Sequence, residues 1–252
     1  MNSVEMQKKL DVFLNLLYYT SPLVALYDVD DISPFAPHIY PPEEGKGHSC
    51  IAAYYPSWVK GKTLVLTKER YGCGGVAHYL CGKELMRSRG EFIDFLYDEE
   101  GLRASKEIMG KWVDQMQGYI PRNQYILLGP FRAEQVANMV SVTFYPDPDR
   151  LSALIHAANY RSESPIDDVV VAPMASACKQ LIAFQQYPQP EKPRAVIGAT
   201  DMAMRRFLPV CELAFTVNMP MFYQIIEVDK NHFLHKSFWG SVVKARKWKK
   251  GQ

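Results

Sequence analysis

The second half of the chain changes its hydrophobic period four times in succession. "VSVTFY" gives way through "PDPD" to "RLSALIHAANYR", "DDVVVAP" to "MASACKQLIAF", "RAVIGAT" to "DMAMRRF", and "CELAFTV" to "MPMFYQ". Each leading segment is short and rich in β-branched or aromatic residues, which pack well on a pleated surface. The segments that follow read as helices; in the first, Leu151, Leu154, Ile155 and Ala158 form one apolar stripe. A chain that alternates these periods folds as α/β or α+β, with a mixed sheet flanked by helices. Strand order is not derivable from the pattern, and no internal repeat is present.

The first half follows the same alternation less regularly. Leu10, Phe13, Leu14 and Leu17 fall on one helical face, with Asn2-Ser3 as its cap. "SPLVALYDV" reads as a buried strand, and residues 30–47, rich in Pro and acidic side chains, as a long connection. A short helix in "HSCIAAYYPSWVKG", a strand in "KTLVLT" and a helix start in "GGVAHYLCG" come next. Helices are expected in "GEFIDFLYDEE" and "LRASKEIMGKWVDQMQ", and an extended segment in "YIPRNQYILLGPF". The last helical stretch is expected to run for much of "MPMFYQIIEVDKNHFLHKSFWGSVVKA". The 252 residues are read as one domain, 1–252, or as two closely packed lobes dividing near 120–140.

Charge and cysteine usage narrow the function classes. A net charge of +2 supplies no field suited to nucleic acid, and only "KARKWKK" is locally basic, as a solvated terminus would be. No apolar run reaches the roughly 18 residues needed to cross a membrane. The opening segment interleaves charges with its apolar residues, unlike a signal peptide, so a cytoplasmic location is expected. Five cysteines, an odd number, argue against a disulfide framework there.

The thiols therefore need another explanation. Cys50 opens a predicted helix after "GKGHS", Cys73 stands between Gly72, Gly74 and Gly75 at a strand-to-helix turn, and Cys178 lies in the first turns of a third helix. Helix N-termini favour a thiolate, and glycines let backbone approach a bound group closely. Cys81 and Cys211 are assigned to the core. His48, two residues before Cys50, is the most site-like histidine, with His78 a second candidate base; His156, His232 and His235 read as structural or surface residues. In "GATDMAMRRF", Thr200 or Asp201 caps a helix, and Asp201 stands four residues before Arg205. That spacing suits a helix ion pair; the alternative is that Arg205 or Arg206 faces an anionic ligand at the strand ends, with Asp201 and Arg205 as candidate cofactor-binding residues. No dinucleotide, P-loop, zinc-protease or nucleophile-elbow motif is present.

At these residues the chain resembles a prokaryotic family known as uncharacterised ArCR, domain of unknown function 169. The resemblance is carried by "CIAAYYPSWVKGKTLVLT", "GCGGVAHYLCG", "VSVTFYPDPDRLSALIHAANY", "ASACKQLIA" and "GATDMAMRRF…LAFTVNMPMF", from about Pro22 to Phe222. Cys50, Cys73 and Cys178 match the family's cysteine positions, whereas Cys81 and Cys211 do not. The family carries no established activity, so the resemblance implies a site and no reaction.

Three readings follow. In the first, Cys50, Cys73 and Cys178 line a pocket for a soft metal, an iron–sulfur cluster or a redox cofactor. In the second, the thiols pack and the protein is a non-catalytic module for a small molecule or anion. In the third, Cys73 is a catalytic nucleophile served by His48 or His78 in acyl transfer or hydrolysis.

Overall fold

The computed structural model describes residues 2–40, 50–66, 80, 88–115, 119, 121–163, 169–171, 178 and 191–249. Its centre is a sheet whose strands are β1 (Val24–Val29), β2 (Leu64–Leu66), β3 (Tyr125–Pro130), β4 (Met139–Phe144), β5 (Val169–Val171), β6 (Ala195–Gly198) and β7 (Ala214–Asn218). The order is β2-β3-β1-β4-β7-β6-β5, antiparallel throughout except for the β5–β6 pair. This is the mixed, helix-flanked sheet that the alternating periods predict. Strands from before, within and after residues 120–140 are hydrogen-bonded in it.

Around the sheet lie α1 (Ser3–Leu17), α2 (Tyr55–Val59), α3 (Arg89–Asp94), α4 (Lys106–Asp114), α5 (Pro148–Asn159), α6 (Met202–Arg205), α7 (Met219–Ile225) and α8 (Ser237–Arg246). The Asn2 side chain caps α1 by accepting from the Glu5 N–H at 2.8 Å, and Met6, Leu10, Phe13 and Leu17 are buried beneath it. Because successive strand residues point to opposite faces, each central strand feeds two cores. Val24 and Leu26 join Trp58, Phe92, Ile93, Met109 and Val113 on what we call the α3 face. Ala25, Tyr27 and Val29 join Phe13, Leu154, Phe222 and Trp239 on the α1 face. Both faces being covered explains why β1 is buried at every residue.

Several elements depart from expectation. The 30–47 connection contains a 3-10 turn, Ser33–His38, that buries Phe35. Cys50 opens a 3-10 turn, Ile51–Tyr54, that leads into α2. The long final helix is instead α7, a 3-10 turn at Phe233–His235, and α8. Cys211 is not a core thiol at the start of a strand: it is exposed, and β7 begins at Ala214. The reason is the turn before β7, which Arg205 ties to α6 and which carries Val210 and Cys211 outward.

Candidate functional site

β4 and β7 lay a polar floor inside the α3 face. Register places Thr143 opposite Val24 of β1 and Ser141 opposite Leu26, beside a bulge that shifts the pairing between Leu26 and Tyr27. Cross-strand partners share a face, so both hydroxyls point to the α3 side, as Val24 and Leu26 do. β7 adds Thr216 opposite Thr143 and Asn218 opposite Ser141. All four side chains are buried. The Thr143 and Thr216 hydroxyls hydrogen-bond at 2.8 Å. The Asn218 amide caps α7, accepting from the Met221 N–H at 3.1 Å and donating to the Lys192 carbonyl at 2.8 Å. The Ser141 hydroxyl is buried and meets no hydrogen-bond partner among the described residues. A buried polar group in that condition costs about 1–3 kcal/mol, a cost that a bound ligand or water would remove.

One end of the floor is closed by phenols and a carboxyl. The residue after β4, Tyr145, is buried, and its backbone N–H donates to the Tyr19 hydroxyl at 2.7 Å. Tyr55 packs edge-on to Tyr145, with ring centroids 4.8 Å apart, and donates from its hydroxyl to Glu212 Oε2 at 3.0 Å. Burial first, then the neighbouring phenols, the Cys50 thiol and the Glu212 carboxyl, push the Tyr145 phenol well above its ordinary range. Burial and Glu212 do the same to Tyr55. Burial also raises Glu212, against the pull of the Tyr55 hydrogen bond and with Asp147 adding a like charge. Glu212 is thus a carboxyl that holds its proton longer than an exposed one.

The cysteines matched to the family fall on the same face where they are described. Cys50 is half-buried and packs on the α3-face cluster, of which the buried Cys178 is a member together with Tyr145, Ala199, Met204 and Ala214. Cys73 with Gly72, Gly74 and Gly75, and also His48, His78 and Cys81, lie outside the described residues. Among the described residues no group of three or more His, Cys, Asp or Glu could hold a metal ion.

Asp201 caps α6 as expected, accepting from the Ala203 N–H at 3.0 Å. Its charge also acts on Glu100, whose carboxyl is pushed up to about 7, chiefly by burial and then by Asp201 and Glu99. Arg205 donates to the carbonyls of Glu212 at 2.6 Å, Val210 at 3.0 Å, Pro209 at 3.1 Å and Ala199 at 3.3 Å. In this arrangement the guanidinium holds the turn that carries Glu212. Ala199, buried at the end of β6, has φ of 63°, a left-handed conformation that side-chain-bearing residues seldom adopt. His232 is buried and its imidazole is held down to about 4 by burial, which fits a structural role.

Ser141, Thr143, Tyr145, Thr216, Tyr55 and Glu212 escape a search for motifs. Their signal is one of phase. In "VSVTFY", Ser141, Thr143 and Tyr145 recur at every second residue, and Thr216 and Asn218 do so in "AFTVN". Polar residues in register on strands that are buried on both faces mark a polar strip inside the protein.

Comparison with known proteins assigns the chain to a family. Residues 13–228 match the family described as uncharacterised ArCR, domain of unknown function 169, and the chain belongs to it. No curated protein and no solved structure matches the chain. No helix among the described residues is long and apolar enough to cross a membrane.

Proposed function

We propose that this ArCR chain binds a ligand over the hydroxyl floor of β4 and β7, with cysteine thiols as its soft donors. The observation that carries the reading is the coincidence of the Ser141, Thr143 and Thr216 hydroxyls with Cys50 and Cys178 on one buried face. Thiolates bind soft metals and iron–sulfur clusters, and hydroxyls that donate to sulfur tune such centres. In that form Cys50, Cys73 and Cys178 are the ligands, Gly72, Gly74 and Gly75 give clearance, and the floor donates to the bound sulfur. The Tyr55–Glu212 pair supplies a carboxyl whose proton affinity burial raises.

The test is elemental analysis and a visible spectrum of protein purified without oxygen, followed by Cys50→Ser, Cys73→Ser and Cys178→Ser. Stoichiometric iron or zinc that each substitution removes, with the fold retained, is the expected result. Metal-free protein, or full metal content in Cys73→Ser, rejects the metal-bound form. Native mass spectrometry then decides whether an organic ligand occupies the floor instead, the binding-module reading. Selective alkylation of Cys73 at neutral pH, suppressed by substituting His48 or His78, would favour the nucleophile reading over both.

A further inference from the structure

The family match ends at residue 228, and the chain beyond it builds a second cavity, of about 520 Å³, between the end of α1 and α8. That volume is in the range of small-molecule pockets. Its wall is aromatic: Tyr18, Trp239 and Trp248 all line it. The wall is also braced. The Arg150 guanidinium lies 3.8 Å from the centre of the Trp248 ring, and its Nε–H donates to the Tyr18 carbonyl at 2.7 Å. Trp239 lies 5.8 Å from Trp248, ring centre to ring centre, and its indole N–H donates to the Leu16 carbonyl at 2.8 Å. These contacts fix the rings before anything binds.

The rim is cationic. Lys236, Lys244, Lys247 and Lys249 line the cavity, and no aspartate or glutamate does. Among the described residues none of these four lysines has an ion-pair partner. The contrast with other cations is direct: Arg246 of the same helix pairs with Asp149 at 2.5 Å, and Lys9, Lys106 and Lys111 each pair with a carboxylate. Lysines in a last helical turn offset the helix dipole, but that amounts to about half a charge and leaves most of this rim uncompensated. Phe238, the exposed apolar residue of α8, lines the neighbouring cavity and not this one.

We propose that this cavity binds a small organic anion: a planar ring packed against the accessible surface of the wall that Tyr18 and Trp248 form over Trp239, with a phosphate, sulfate or carboxylate held by the lysine rim. The site is separate from the hydroxyl floor, lies on the opposite face of the sheet, and stands whether or not the thiol reading does.

The probe is 1-naphthyl phosphate, titrated calorimetrically into the full chain, with inorganic phosphate and 1-naphthol as its two halves. The expected result is saturable one-to-one binding, about tenfold or more tighter than either half, with the indole N–H resonances of Trp239 and Trp248 shifting together. Lys244→Glu combined with Lys247→Glu weakens it by about tenfold or more while the melting temperature stays within a few degrees, both side chains being exposed. Lys8→Glu, an exposed charge on α1 that does not line the cavity, leaves it unchanged. Equal affinity for inorganic phosphate, no saturation, or an unaltered double variant overturns the proposal. So does adsorption to phosphatidylserine vesicles, or to duplex DNA, that 1-naphthyl phosphate does not displace.

Discussion

Two tyrosine–carboxylate contacts stand at opposite ends of the same sheet, and they are built to different ends. At one, Asp28 of β1 is buried and accepts from the Tyr119 hydroxyl, the Arg122 N–H at 2.8 Å and the Asn123 N–H at 2.9 Å. The Asn123 amide donates in turn to the Asp28 carbonyl at 2.9 Å. Backbone donors thus hold the charge from more than one side, and the carboxylate pins the 119–124 segment to the strand. At the other end Glu212 is half-buried, takes the Tyr55 hydroxyl, and has its proton affinity raised by burial and by Asp147. The same pair of residue types makes a clasp where backbone N–H groups saturate the carboxylate. At Glu212 the carboxyl accepts the Tyr55 hydroxyl, and burial raises its proton affinity. Both pairs border the α3 face, where Tyr119, Tyr145 and Cys178 belong to one buried cluster.

This contrast predicts an order of effects. Asp28→Ala leaves a buried phenol and two backbone donors without an acceptor, and we expect a loss of about 3–5 kcal/mol in urea unfolding. A loss below about 1 kcal/mol would remove the distinction between the two ends. Tyr119→Phe, which deletes one of several donors to Asp28, should cost about 1–2 kcal/mol.

The pH dependence of stability sharpens the comparison from the site side. Glu100 has its carboxyl raised from the ordinary 4.5 to about 7. Between those values the folded chain keeps a proton that the unfolded chain releases, so this stabilising contribution is full below 4.5 and fades as the pH rises to about 7. Glu100→Gln should flatten that decline and leave the variant more stable than the parent at pH 8. The gain is about 1 kcal/mol, because the half-exposed side chain keeps contact with water. Unfolding midpoints measured across the acid and neutral range decide it; an unchanged slope in the variant would assign the decline elsewhere.

The smallest stability effect is expected at Tyr55. Tyr55→Phe should cost under about 1 kcal/mol, because Glu212 can turn to water. It should nevertheless move the Glu212 carboxyl further up, since the Tyr55 hydrogen bond holds it down. A carbon-13 titration of the glutamate carboxyls reads that shift. A downward or absent shift would mean that Tyr55 does not face the ionised form.

How much of this was legible beforehand differs by element. The α1 cap at Asn2, the cap at Asp201 and the mixed sheet follow from local rules: a side chain two or three residues from an orphan N–H, or a repeated change of period; on α5 the stripe buries Leu154 and Ala158 and leaves Leu151 and Ile155 partly buried at its edge. Cys50 opens a 3-10 turn where a helix start is expected, and nothing local says that it shares a core with Cys178. Cys211 departs from expectation because of the turn that precedes β7. Its exposure depends on four carbonyls gathered by Arg205, a contact that neighbouring residue identities do not announce.

The site itself shows the division most clearly. The alternation of Ser141, Thr143 and Tyr145, and of Thr216 and Asn218, is written in the chain, and it fixes which residues share a face. Whether that face is buried, and what stands over it, depends on pairing between strands far apart in sequence, whose order is set by which apolar surfaces can be covered together. Placing β4 between β1 and β7 turned an ordinary polar alternation into a buried strip on the face of the sheet that carries the α3-side core. Residue identity therefore supplied the polar groups, and long-range burial, through desolvation, supplied the raised proton affinity of Tyr55, Tyr145 and Glu212 and the face that the floor hydroxyls share.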